Sequence, residues 1–368
     1  MILSIRHAAS VFRPAKPTGS VRHVLTLPAL LLALMLAALA CASAAPGEPA
    51  DSDQPAGAET GKLTVVTTLN IVADWVAAVG GDGVVVTSLL PADTDPHNYK
   101  PGAQDVARVA EADLVVTIGQ GLEDQWVNDL VSRVAKDTDA IVSLNQYIDL
   151  LEYEEGEQND HGHGGADHGH GDGDGDADHD HGDADADQDH DHGPLDPHFW
   201  FDPLRVKDAV GGIAERLAAA DPNRRSEYEA NAAAYAAELD TLHHWIEEQI
   251  TTVPEERRLL VSSHDSLRYF AHRYGFKVVG AVKPPSGQEE PTAQEMTELV
   301  EHIKEERVPA IFTEDIFAPR LSQRIAEETG VQIVSALRTS SLDEPGSPAG
   351  TYLGFMRYNV GVMVEALK

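Results

Sequence analysis

The chain has 368 residues, with 27 Lys and Arg against 61 Asp and Glu and a formal net charge of −34 at pH 7. That length covers one large domain or two medium ones with a sizeable core. So acidic a chain repels DNA, RNA and anionic lipid, which argues against the nucleic-acid-binding classes. The charge is concentrated: residues 151–193 hold 16 acidic side chains and no Lys or Arg.

In chain order, residues 1–44 read as a targeting segment. Arg6, Arg13, Lys16 and Arg22 form a basic region with no acidic residue before Glu48, and an apolar run follows from Val24 to Ala40. The run is short of the ~20 residues of a membrane span, and small residues follow it in place of a basic flank. The single cysteine, Cys41, comes directly after Ala38-Leu39-Ala40. This resembles the lipobox at which a lipoprotein is cut and acylated, with Ala38 standing where Leu is usual. Cleavage after Ala42-Ser43-Ala44 would instead discard Cys41. Either cut puts the mature protein outside the cytoplasm, periplasmic or lipid-anchored, with no internal disulfide.

Residues 45–61 are Pro, Gly, Ala and acids with almost nothing to bury, a flexible tether. From Lys62 the pattern alternates. Leu63–Thr67, Val84–Leu90 and Leu114–Ile118 read as strands, with helices over Ile71–Val79 and Ala103–Ala112 between them. Strand-helix alternation predicts parallel sheet with crossover helices. Residues 160–193 break the order with eight His and twelve Asp among Gly and Ala. No core can form there, which predicts a disordered surface loop. A long helix is predicted to start at Asp221-Pro222 and stop near Pro254. Alternation then resumes, with strands at Leu259–Ser262, Lys277–Ala281, Ala310–Thr313 and Gln332–Ser335. The expected organisation is an N-terminal α/β lobe over 62–220, a rigid linking helix over 221–253, and a C-terminal α/β lobe over 254–368. Both lobes have parallel sheets, with the ligand site in the cleft between them.

Four motifs place candidate metal ligands at strand-to-helix turns, where open α/β sheets bind ligands. They are Asp95-Pro96-His97 within Thr94–Tyr99, Asp196-Pro197-His198 leading into Phe199-Trp200-Phe201-Asp202-Pro203, Ser262-Ser263-His264-Asp265, and Ser341-Leu342-Asp343-Glu344-Pro345-Gly346. Singly, each has an ordinary reading as a surface histidine or a turn-forming aspartate. The set carries the argument, with two candidates in each lobe. His243, His244, His272 and His302 read as helix-surface residues.

These motifs, together with Ser262 to Tyr269, Glu290-Pro291-Thr292, Phe312-Thr313-Glu314, Thr351-Tyr352 and Asn359, resemble the periplasmic zinc- and manganese-binding solute-binding proteins of ABC importers. The likeness spans roughly 62–368, and a His- and Asp-rich insertion between the first two histidine motifs is typical of the zinc members. The resemblance implies that His97 and His198 of one lobe and His264 and Asp343 of the other hold the metal. Asp343 is the one ligand for which water can substitute. It also implies delivery to a membrane permease, with Zn2+ as cargo, the protein itself a monomer, and no enzymatic activity.

Three imidazoles and a carboxylate suit four-coordinate zinc, and manganese members tend to carry a carboxylate where His264 stands. Four histidine pairs spaced two apart lie in the insertion: His161 and His163, His168 and His170, His179 and His181, His190 and His192. They could hold metal weakly, since neutral imidazole is a good ligand. Trp200 is expected to pack beside His198, and Glu314 to face the cleft behind the ligands. A manganese or iron binding protein and a metal buffer or chaperone fit the same residues. A zinc hydrolase shares the three-histidine set, but the chain has no His-Glu-x-x-His run and Asp343 would fill the open position.

Overall fold

The computed structural model describes residues 61–134, 137–152, 195–283, 291–314 and 319–368. The targeting segment with Cys41, the tether up to residue 60 and Glu290 lie outside the described residues. So does the insertion, and with it every secondary metal site expected there: His161, His163, His168, His170, His179, His181, His190 and His192.

The first sheet is built from β1 (Leu63–Thr67), β2 (Val84–Ser88), β3 (Leu114–Thr117) and β4 (Ile141–Ser143), in the order β2-β1-β3-β4 with every pairing parallel. Its connections are α1 (Asn70–Gly80), α2 (Ala103–Glu111) and α3 (Asp124–Val134). β3 is buried at all four positions. That is why it reads as an unbroken apolar run, as strands covered on both faces do.

Helix α4 (Pro203–Ala220) starts at Asp202, whose carboxylate caps Leu204 N at 3.0 Å with Pro203 at the first helical position. This pairing suits a helix start because Pro has no N–H to leave unsatisfied. After a 3-10 turn at Pro222–Arg224, the linking helix α5 runs from Arg225 to Ile250. Its 26 residues span ~39 Å. Tyr228, Ala232, Tyr235, Leu239, Leu242, Ile246 and Ile250 form its buried stripe, a spacing of three and four that keeps one face inward.

The second sheet repeats the first. It comprises β5 (Leu259–His264), β6 (Lys277–Lys283), β7 (Ala310–Phe312) and β8 (Gln332–Val334), all parallel in the order β6-β5-β7-β8. Helices α6 (Arg268–Tyr274), α7 (Ala293–Glu306) and α8 (Pro319–Thr329) connect it, and α9 (Tyr352–Leu367) closes the chain. The architecture is therefore two parallel-sheet α/β lobes joined by one long helix.

One apolar cluster runs through the middle, with Trp75, Phe199, Trp200, Tyr228, Tyr269, Tyr352 and Phe355 all fully buried. Each lobe keeps its own outer cluster, around Val115 and Trp126 in the first and Val261 and Ile311 in the second. The aromatic centre places the short segment before α4 between the lobes. That segment also closes a chain excursion: Glu152 and Leu195 form an isolated antiparallel bridge, and Asp196 N donates to Leu151 O at 2.9 Å.

Candidate metal centre

His97 lies in the connection from β2 to α2, and His264 is the last residue of β5. His198 departs from the strand-end expectation. It precedes a 3-10 turn at Phe199–Phe201 that feeds α4, and among the described residues 195–198 there is an isolated bridge at Leu195 and no strand. Its position comes from the Asp-Pro-His turn instead. Asp196 Oδ1 accepts from His198 N at 2.9 Å, and Asp95 Oδ1 accepts from His97 N at 2.9 Å in the same way. An aspartate that bonds the backbone two residues on is a self-contained turn. The twice-repeated triplet thus builds the same local geometry twice.

The three histidines converge. Ring centroids are 4.9 Å apart for His198 and His264, 5.3 Å for His97 and His264, and 5.6 Å for His97 and His198. One ring nitrogen from each lies within 4.8 Å of the others, and all three residues are buried. His198 is the best defined. Its Nδ1 is 2.7 Å from Asp196 Oδ1, a carboxylate oxygen placed to accept a proton from that nitrogen. Its Nε2 is buried with no hydrogen-bond partner. A buried lone pair without a donor is costly, whereas a cation bonded there removes the cost. A carboxylate behind a histidine, setting tautomer and ring direction, is the usual support of a metal ligand. The donor set therefore fits a divalent metal.

Asp343 is not among the atoms so grouped. Its Oδ1 accepts from Arg338 Nε at 2.7 Å, and the two side chains are about a third exposed. Asn359 holds that stretch, bonding the N–H of Arg338 at 2.9 Å and its carbonyl at 2.7 Å.

Trp200 sits edge-on to the His198 ring with centroids 5.1 Å apart, as expected, and its Nε1 donates to Thr339 O at 2.8 Å. Glu314 lies two residues past β7, level with His264 because Ser262 pairs with Phe312. It is buried, takes the Thr339 hydroxyl as donor, and its N–H donates to Ser263 Oγ at 3.2 Å. Burial pushes its carboxyl well above the usual range, and the negative charge of Asp95 adds to the shift. His272 and His302 are exposed; His243 is half-buried, its Nδ1 3.1 Å from Tyr274 OH.

The sequence reading overlooks Asp196, which braces His198, and Glu123, a buried carboxyl of the first lobe. Asp196 was legible only as a turn former, although its place two before His198 is the signal. Glu123 is fully buried and pushed up to about 8 by burial, against donors Thr68, Ile118 and Gly119. It ties the residues that follow β1 and β3 to each other within the first lobe.

Two parallel-sheet lobes meeting over three buried imidazoles, His198 backed by a carboxylate, have the architecture of a metal-carrying solute-binding protein. Comparison with known proteins agrees. The family model described as "Zinc-uptake complex component A periplasmic" matches residues 65–366. The manganese-binding lipoprotein MntA of Halalkalibacterium halodurans is 31% identical over 305 residues, covering 83% of this chain and 88% of its own. The substrate-binding lipoprotein FimA of Streptococcus parasanguinis is 27% identical, covering 94% of this chain and 99% of its own. Among solved structures, the periplasmic zinc-binding protein TroA of Treponema pallidum superposes with a TM-score of 0.69 at 27% identity. The superposition covers 83% of this chain and 99% of TroA. The protein is a substrate-binding component of a metal ABC transporter, acting outside the cytoplasm. The chain belongs to the zinc-uptake complex component A periplasmic family. Among the described residues no helix is long and apolar enough to cross a membrane.

Proposed function

We propose that the protein captures zinc(II) outside the cytoplasmic membrane and delivers it to the membrane permease of its importer, without performing chemistry on it. His97, His198 and His264 are the ligands. The observation that carries this reading is the make-up of the cluster, three imidazoles with no carboxylate grouped among them in the described residues. Borderline-soft zinc suits such nitrogen donors, while manganese favours oxygen. The fourth position falls to water, or to Asp343 once it leaves Arg338. Glu314 and Trp200 support the ligands from behind. The insertion supplies secondary weak sites through His161 and His163, His168 and His170, His179 and His181, and His190 and His192. Cys41 is the point of lipid attachment.

The manganese reading draws on the names of relatives such as MntA and PsaA. Metal content and competitive titration of the protein from Ala45, with and without residues 160–193, separate the two. One tightly held zinc per chain with weak manganese is expected in both forms. Tight manganese in place of zinc would move Asp343 into the site and overturn the zinc assignment.

Asp196→Asn gives a narrower expectation. The turn survives, but His198 Nδ1 loses its charged acceptor. Zinc affinity then falls roughly 10–100-fold, read in the same titration; an unchanged affinity would remove Asp196 from the site.

A further inference from the structure

His198 falls by sequence within the expected first lobe, residues 62–220, yet its segment is bonded mainly to the second lobe. Helix α6 starts four residues after His264 and grips residues 196–202 at both ends. Tyr269 OH donates to Asp196 O at 2.6 Å and accepts from Leu151 N at 3.0 Å. Arg273 reaches Asp202 Oδ2 through Nε at 2.8 Å and Nη2 at 2.7 Å. Between these points Trp200 donates to Thr339 O, and Tyr352 OH donates to Trp200 O at 2.8 Å. Tyr269 is fully buried, with the Arg205 guanidinium 5.0 Å above its ring.

His97 is mounted differently. Its neighbour Pro96 is held through its carbonyl by Trp126 Nε1 of α3 at 2.8 Å, inside the first lobe. One bond from this connection to the second lobe is at Asp93, whose N–H reaches Ser341 Oγ at 3.1 Å. The ring distances follow the mounting, since the His198–His264 pair is the closest of the three.

We propose that α6 holds His198 and His264 as a preassembled two-imidazole half-site, with Tyr269 as its positioning residue, and that His97 joins on capture and parts first on release. This rests on the three histidines being the metal ligands. A relative movement of the sheets then changes the distance from His97 to the pair and leaves the pair intact. Such movements of packed lobes, absorbed at a few connections, are the usual route by which binding proteins close and open.

The test uses the full chain, zinc as the probe and a competing chelator. His97→Ala should weaken zinc about tenfold less than His198→Ala or His264→Ala. Tyr269→Phe removes only the hydroxyl, and should cost about tenfold in affinity, at the lower edge of what supporting-shell changes cost. The cost should appear in the wild-type and His97→Ala backgrounds and vanish in the His198→Ala background, because Tyr269 acts through His198. A general loosening of the fold would act in all three backgrounds alike, and that result would overturn the proposal. So would a His97→Ala loss as large as the other two. If none of the three alanine variants loosened zinc, the metal-site reading itself would fail, an outcome distinct from either.

Discussion

Replacing His198 with Ala weakens zinc binding by roughly 10²–10³-fold, because structural zinc sites carry ~10–16 kcal/mol over about four ligands, or ~2.5–4 kcal/mol each. His198 is the ligand whose orientation is most fully fixed. Its ring is held at Nδ1 by Asp196 and flanked by the Trp200 ring, and its Nε2 is buried and unsatisfied. Truncation removes the metal bond. It also leaves the Asp196 carboxylate, fully buried, without its ring partner. The comparison that matters is with deletion of residues 160–193, which takes out eight histidines at once. The deletion leaves the Asp196-braced ring of His198 in place, whereas the substitution removes it. Competitive titration of the two variants should show the single substitution to be far the more damaging. If the deletion loosened zinc more than His198→Ala, the insertion would be the binding element and a buffering role the better account.

Arg273→Met lowers the stability of the metal-free protein by about 3 kcal/mol, the low end for breaking a buried ion pair. Asp202 is fully buried and does two jobs, capping α4 and receiving Arg273 at 2.7 and 2.8 Å. With the guanidinium gone, its nearest cation is Arg205, with Nε at 3.4 Å. That remaining charge, and the 30% exposure of the Arg273 side chain, keep the loss at the lower end. With ~2.1 cal/mol/K of unfolding entropy per residue, each kcal/mol moves the midpoint of a chain this long by about 1–2 °C, so thermal unfolding should shift down by roughly 3–6 °C. Adding Asp202→Asn to Arg273→Met should recover part of the loss, since the uncompensated charge disappears. A shift below about 1 °C for Arg273→Met, less than one kcal/mol on that scale, would mean the pair is solvated in practice and does not tie the lobes.

The first lobe shows how far periodicity carries. β1, α1, β2, α2 and β3 were legible because β-branched runs such as Leu63–Thr67 alternate with helical spacing and end at Gly or Pro. The sequence reading passes over α3, β4 and α4. β4 has three residues, too few for a pattern. α4 carries Gly211 and Gly212 amid alanines, a weak helix signal, and Gly212 is there for packing. A Cβ on it would meet the Tyr147 ring at 2.5 Å.

The site divides similarly. His97, His198 and His264 stood out as histidines in turn motifs, and the structure brings all three together. What no local pattern carried was which neighbours would sit behind them. Tyr269 reaches Asp196 across 73 positions of sequence, and Trp200 reaches Thr339 across 139. The Arg338–Asp343 pair was equally hidden, since its partners are five apart in a connection of no regular spacing.

The bridge between Glu152 and Leu195, reinforced by Asp196 N on Leu151 O, has a consequence for how this chain can vary. The described chain leaves at Glu152 and re-enters at Leu195, two points held side by side. The entropy of ring closure grows with the logarithm of length, at ~0.6 kcal/mol per doubling. Insertions, deletions and repeat expansion in that stretch are therefore nearly neutral to folding, and its length and composition can drift while the turn that aims His198 stays where it is.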